Sequence, residues 1–172
     1  MRLDQIKILL VDDSAHMRQM LTRILQSIGF DKIYEASDGS EGLSVLRQAG
    51  ADIILTDLAM EPMDGIDFTR LVRNSSDSPN PTVPIIMVTG HLTLRRIQEA
   101  RDAGVNEFVA KPITVKNVIE RVQVVIDHPR AFVRTEDYFG PDRRRRNDPN
   151  YRGGMRRSTD VVKSPALIPK SD

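Results

Sequence analysis

The 172-residue chain contains no cysteine, so neither a disulfide framework nor a thiolate metal site can form. It also lacks any apolar run of about eighteen residues and any charged–apolar–small leader pattern at its N-terminus. The expected location is therefore the cytoplasm, with no membrane insertion. No Gly-x-x-x-x-Gly-Lys-Ser/Thr loop and no Gly-x-Gly-x-x-Gly loop is present, which removes the two commonest glycine cradles for nucleoside phosphates. The Asp-x-Asp signature of aspartate-dependent phosphatases is missing as well, and the chain is read as a non-enzyme. Beyond Pro129 there is no helical periodicity, and a DNA-binding output domain needs roughly 60 patterned residues. No DNA partner is expected.

The net charge of +1 conceals an asymmetry. Residues 1–130 carry 18 acidic and 15 basic side chains, whereas residues 131–172 carry 6 and 10. This break places a boundary near Pro129, between a domain at 1–128 and a basic extension at 129–172.

Residues 1–127 alternate short β-branched runs with amphipathic helical patterns. "IKILLV" (6–11), "KIYEA" (32–36), "DIILTD" (52–57), "IIMVTG" (85–90) and "EFVAKP" (107–112) read as strands. Between them lie helical spacings opened by Ser14, Asp64–Gly65, Thr93 and Thr114 and closed by Gly29, Gly50 and Gly104. The class is α/β: a doubly wound (βα)5 fold with a parallel sheet covered on both faces. Such sheets place their sites at the carboxyl ends of the strands.

Those ends carry Asp12 and Asp13, Asp57, Thr89 and Lys111. Carboxylates converging in one crevice repel each other, and a hard divalent cation such as Mg²⁺ relieves that repulsion. A lysine and a hydroxyl facing the same point suit an anion held on Asp57, which is the arrangement for phosphoryl transfer to an aspartate. Singly, each residue is as well explained as a turn or surface group. Five of them in order at successive strand ends is a joint signal.

The pieces "LLVDDS", "ILTDLAMEPMDG", "IIMVTG" and "FVAKP" resemble the receiver domain of CheY-like response regulators, a flavodoxin-like fold. The resemblance implies that Asp57 is the phosphoacceptor. It implies that Asp13, Asp57 and the backbone carbonyl of Ala59 bind Mg²⁺, with Asp12 acting through a water, and that Lys111 and Thr89 hold the phosphoryl group. Phe108 occupies the aromatic switch position without the hydroxyl of a tyrosine, and Lys111–Pro112 falls where the family has a cis peptide bond. A sensor histidine kinase is the implied phosphodonor.

The extension has too little apolar content for a core of its own, so a largely disordered tail that orders on ligand binding is expected. It holds 8 Arg to 2 Lys over residues 131–172. Arg presents a planar fork that fits phosphate and the O6/N7 edge of guanine. Arg-x-x-Asp occurs three times in the chain, at Arg134–Asp137, Arg145–Asp148 and Arg157–Asp160, all in this segment. A carboxylate has no use in a phosphate-only arm but accepts from guanine N1–H and N2–H₂. Tyr138, Phe139 and Tyr151 add flat faces for stacking.

The tail resembles the arginine-rich extension of the CheY-like cyclic di-GMP effectors (the Cle proteins). On that resemblance the family motif falls on "YFGPDRRRR". The candidate cyclic di-GMP site comprises Arg134, Asp137, Tyr138, Phe139, Asp142, Arg143, Arg144, Arg145, Arg146, Asp148, Tyr151, Arg152, Arg156, Arg157 and Asp160. The implied protein partner is the flagellar motor switch, with recruitment to the motor or cell pole. The competing reading makes the tail an electrostatic arm for nucleic acid or membrane.

Overall fold

The computed structural model describes residues 2–90, 93–143 and 160–162, the last three as backbone only. After a short 3₁₀ turn at Leu3–Gln5, five strands alternate with five helices. The strands are β1 (Lys7–Val11), β2 (Lys32–Ala36), β3 (Ile53–Asp57), β4 (Ile85–Thr89) and β5 (Glu107–Ala110). The helices are α1 (Ala15–Ser27), α2 (Gly39–Ala49), α3 (Gly65–Asn74), α4 (Leu94–Ala103) and α5 (Val115–Asp127). The strands form one parallel sheet in the order β2-β1-β3-β4-β5, the flavodoxin-like winding expected from the sequence.

The period of two along each strand sends alternate side chains to opposite faces. Ile8, Leu10, Ile53, Leu55, Ile86 and Val88 pack with Leu21 and Leu25 of α1 and Val118 and Val122 of α5. Leu9, Val11, Ile54, Ile85 and Met87 pack with Phe68 and Val72 of α3 and Ala100 of α4. Each fully buried Leu, Ile or Phe contributes about 1.5–3 kcal/mol. The two clusters therefore fix which helices lie on which side and bring all five strand ends to one edge.

The helix starts follow the sequence closely. Ser14, Asp38, Asp64, Thr93 and Thr114 each accept a hydrogen bond from a first-turn backbone N–H. Gly104 ends α4 in the left-handed region at φ 105°, where a side chain would be strained.

Residues 132–141 depart from the expectation of a disordered tail, whereas 144–159 and 163–172 lie outside the described residues. Phe132–Arg134 (β6) and Phe139–Pro141 (β7) form an antiparallel hairpin, and Asp160–Val162 (β8) pairs with the other edge of β6. The hairpin docks on the C-terminal ends of α3 and α4, at the end of the sheet away from Asp57. Its core is made by two rings and one charge. Phe132 and Phe139 are buried with centroids 5.6 Å apart, and the guanidinium of Arg73 lies 4.9 Å from the Phe132 centroid.

Arg73 is itself fully buried. Its Nε and Nη2 donate to the Gly104 carbonyl at 3.1 and 3.0 Å, its Nη2 to Asn106 Oδ1 at 3.1 Å and its Nη1 to the Pro81 carbonyl at 2.8 Å. Burial pushes its pKa down to about 9, still well above neutrality, so it remains a cation. Gly104 and Gly140 meet where their backbones touch; a Cβ on Gly140 would lie 3.0 Å from the Gly104 Cα. Apolar content was too low for an independent core, but the hairpin borrows one from the receiver.

Candidate functional site

Asp12 follows β1 directly and is buried. Its backbone N–H donates to the Ala36 carbonyl, and Arg18 Nη1 donates to the Asp12 carbonyl at 2.7 Å, so the turn is fixed from both sides. Its Oδ1 accepts from the Ser14 N–H at 2.8 Å, while its buried Oδ2 has no hydrogen-bond partner. Burial, augmented by the neighbouring Asp57 charge, raises the Asp12 pKa above the usual aspartate range.

Asp57 ends β3 and is buried, whereas Asp13 is exposed at the rim. One carboxylate oxygen from each of Asp12, Asp13 and Asp57 lies within 4.8 Å of the others. Lys111 Nζ stands 3.2 Å from Asp57 Oδ1 and supplies the facing positive charge. Thr89, buried at the end of β4, is tied to the same corner because its carbonyl accepts from the Lys111 N–H at 2.9 Å.

Ala59 is exposed in the bend immediately after β3, and the Lys111–Pro112 peptide is cis, as is Glu61–Pro62. Phe108 sits half-buried on β5 opposite Met87. The structure thus brings Asp12, Asp13, Asp57 and Lys111 together, with the Thr89 carbonyl tied to Lys111.

Three carboxylates against one ammonium leave an excess of negative charge, and one carboxylate oxygen is orphaned inside the cluster. That donor set fits a hard, oxygen-seeking divalent cation such as Mg²⁺.

One residue of this site was legible only as a helix start. Gly65 packs so tightly beneath Asp57 that a Cβ there would collide with the Asp57 carbonyl oxygen. Its N–H donates to the Leu58 carbonyl at 2.9 Å. It clamps the loop after β3 against the strand that carries Asp57.

Residues 8–123 match the response regulator receiver domain family. The chain is 37% identical over 122 residues to the chemotaxis protein CheY of Pseudomonas aeruginosa, a match that covers 71% of this chain and 97% of that one. Chemotaxis protein CheY-3 of Vibrio cholerae is 34% identical over 122 residues, covering 71% and 92%. Among solved structures, chemotaxis protein CheY4 of Vibrio cholerae superposes with a TM-score of 0.65 at 32% identity, covering 70% of this chain and 98% of that one. The chain belongs to the response regulator receiver family. It is a CheY-like receiver of two-component signalling, and the family match stops before the hairpin.

The tail residues divide three ways. Arg134 and Asp137 are exposed on the hairpin, and Arg134 Cζ lies 4.1 Å from the Phe139 centroid. Tyr138 is half-buried; its hydroxyl donates to the Pro141 carbonyl at 2.9 Å, and Arg143 Cζ lies 4.1 Å from its centroid. Arg143 Nη1 pairs with Asp102 at 2.8 Å, and the Asp142 N–H donates to the Ala131 carbonyl. Phe139, expected as an open stacking face, is instead a core residue of the hairpin, because Phe132 and the α3–α4 seat give it something to pack on. Asp160 enters as the backbone of β8, in register with Arg134. Arg144, Arg145, Arg146, Asp148, Tyr151, Arg152, Arg156 and Arg157 lie outside the described residues.

Proposed function

We propose that this receiver is phosphorylated on Asp57 by a sensor histidine kinase and binds cyclic di-GMP through its C-terminal extension. In this reading the Asp57 carboxylate is the nucleophile, and Lys111 stands at its oxygen to neutralise charge gathered on the incoming phosphoryl group. Asp13, Asp57 and the Ala59 carbonyl would hold Mg²⁺, with Asp12 behind them. The bound ion would offset the repulsion among the carboxylates and phosphoryl oxygens. Thr89 and Phe108 carry the change of state from the acceptor toward β5.

The observation that supports the nucleotide reading is the gathering of one Arg-x-x-Asp pair with the acidic end of another. Arg134 and Asp137 occupy the hairpin, and strand pairing brings Asp160 level with Arg134. Arg on the O6/N7 edge and a carboxylate on the N1–H/N2–H₂ edge complete a guanine, and phosphates take the remaining arginines. A cyclic dinucleotide with two guanines would use such a set twice. The output is a protein contact rather than catalysis, with the flagellar motor switch as partner and control of motility or surface attachment as the result. The protein acts in the cytoplasm, recruited to the motor or pole.

Substituting Asp137, Asp148 and Asp160 singly with Ala distinguishes this from a plain anionic-polymer arm. Loss of a good base-edge pair costs about 1–3 kcal/mol of discrimination, or roughly 5- to 150-fold in affinity. An arm that reads only phosphate would instead bind as well or better after each change and weaken steeply with salt.

A further inference from the structure

We propose that the hairpin is a latch over the α4–β5 face, and that latch closure and nucleotide binding exclude each other through Arg143 and Tyr138. The nucleotide half of this proposal rests on the reading of the tail given above. A groove of about 130 Å³ separates receiver from hairpin. Gln98, Arg101 and Phe108 line it from the receiver, and Tyr138, Pro141 and Arg143 from the tail. The residue at the switch position therefore opens not on solvent alone but on the extension.

Three contacts close the groove. Arg143 pairs with Asp102 of α4 at 2.8 Å, the same guanidinium covers the Tyr138 ring at 4.1 Å, and Arg130 pairs with Glu107 of β5 at 2.8 Å. Tyr138 is further held by its hydroxyl bond to Pro141 and by close packing on Gly140. One face of its ring is thus under Arg143 and its outer edge is against the hairpin backbone.

A guanine can take the ring face of Tyr138 that Arg143 covers only by displacing Arg143, and Arg143 can reach a guanine edge or phosphate there only by leaving Asp102. The same groups serve two mutually exclusive partner sets, which is the requirement for a ligand to shift a two-state equilibrium. Nucleotide binding then removes the cover from the face that holds Phe108. Strand β5 belongs to both ends of this device. Lys111, just past its end, touches Asp57; Phe108 in its middle lines the groove; and Glu107 at its start holds Arg130.

The test is amide hydrogen exchange over residues 98–108 together with calorimetry, both on the full chain. Cyclic di-GMP is expected to raise exchange in 98–108. Asp102→Ala is expected to raise it without any ligand and to tighten cyclic di-GMP binding roughly twofold to fivefold, the worth of an exposed ion pair. Glu136→Ala removes an equal charge from the hairpin turn and controls for simple electrostatics; it should leave 98–108 as protected as in the parent chain. The latch is overturned if Asp102→Ala changes neither readout, or if the nucleotide binds while 98–108 stays protected. If the parent chain gives no heat with cyclic di-GMP, the nucleotide reading and the exclusion fall. Ligand-free exchange of Asp102→Ala then still decides whether the hairpin covers the face.

Discussion

Replacing Phe132 with alanine separates a docked hairpin from a loose tail. Phe132 is 1% exposed, pressed between the Phe139 ring and the Arg73 guanidinium. Truncating a buried Phe to Ala costs about 3–5 kcal/mol when the surroundings stay in place, and a desolvated cation–π contact adds up to about 2 kcal/mol. The cost to the whole protein is capped, however, by the free energy that docks the hairpin. The bonds of Arg73 to Gly104, Pro81 and Asn106 all lie within the receiver and involve no residue of the tail. The receiver core should therefore survive while the hairpin opens. With docking weakened by about 3 kcal/mol, the open population rises roughly 150-fold, and trypsin cleavage after Arg130 and Arg134 rises with it while reclosing remains faster than cleavage. Far-UV circular dichroism in urea should show a nearly unchanged receiver transition. Equal cleavage rates at those two sites in parent and variant would refute the docking argument, as would a parent chain cut there as fast as an unfolded peptide.

Three further outcomes follow from the receiver site. Asp12→Asn should stabilise the metal-free chain by about 1 kcal/mol, since it relieves an unpaired buried carboxylate oxygen, and Mg²⁺ should then raise the melting temperature of the parent but scarcely that of the variant. The pH dependence has a defined sign: because the folded-state pKa of Asp12 is raised, metal-free stability from this group is full below the unfolded value near 3.8 and declines as pH rises through the elevated folded value; denaturant titrations in chelator from acid to neutral pH would register it, and Asp12→Asn should flatten that decline. Gly65→Ala must push the Asp57 carbonyl aside, costing about 1–3 kcal/mol of stability by overpacking and slowing uptake of phosphate from a small acyl-phosphate donor, measured by intact mass.

Much of the receiver could be read directly, and the reason is periodicity. Five apolar strands separated by capped helices leave few alternatives for a chain of this size, and strand ends in an α/β sheet specify where Asp12, Asp13, Asp57, Thr89 and Lys111 must meet. The hairpin was opaque for the opposite reason. Its strands span three residues each, too short for a period, and β7 contains Gly140 and Pro141, which ordinarily argue against a strand. Its core partner is a charged residue, Arg73, a residue type that is rarely fully buried. Gly104 and Gly65 were visible only as helix punctuation, although one seats the hairpin and the other clamps the loop that follows Asp57. Close backbone approaches leave no mark in a single sequence beyond the glycine itself.

Calorimetric titration of the full chain with cyclic di-GMP and cyclic di-AMP decides whether this receiver carries a guanine-dinucleotide site. Adenine presents N6–H₂ where guanine has O6 and lacks the N1–H and N2–H₂ donors, so an Arg/Asp clamp must separate the two. Cyclic di-GMP should bind saturably, with cyclic di-AMP weaker by at least about tenfold, since each misread base edge is worth about 1–3 kcal/mol. Equal affinity for both, or no heat from either, would contradict it.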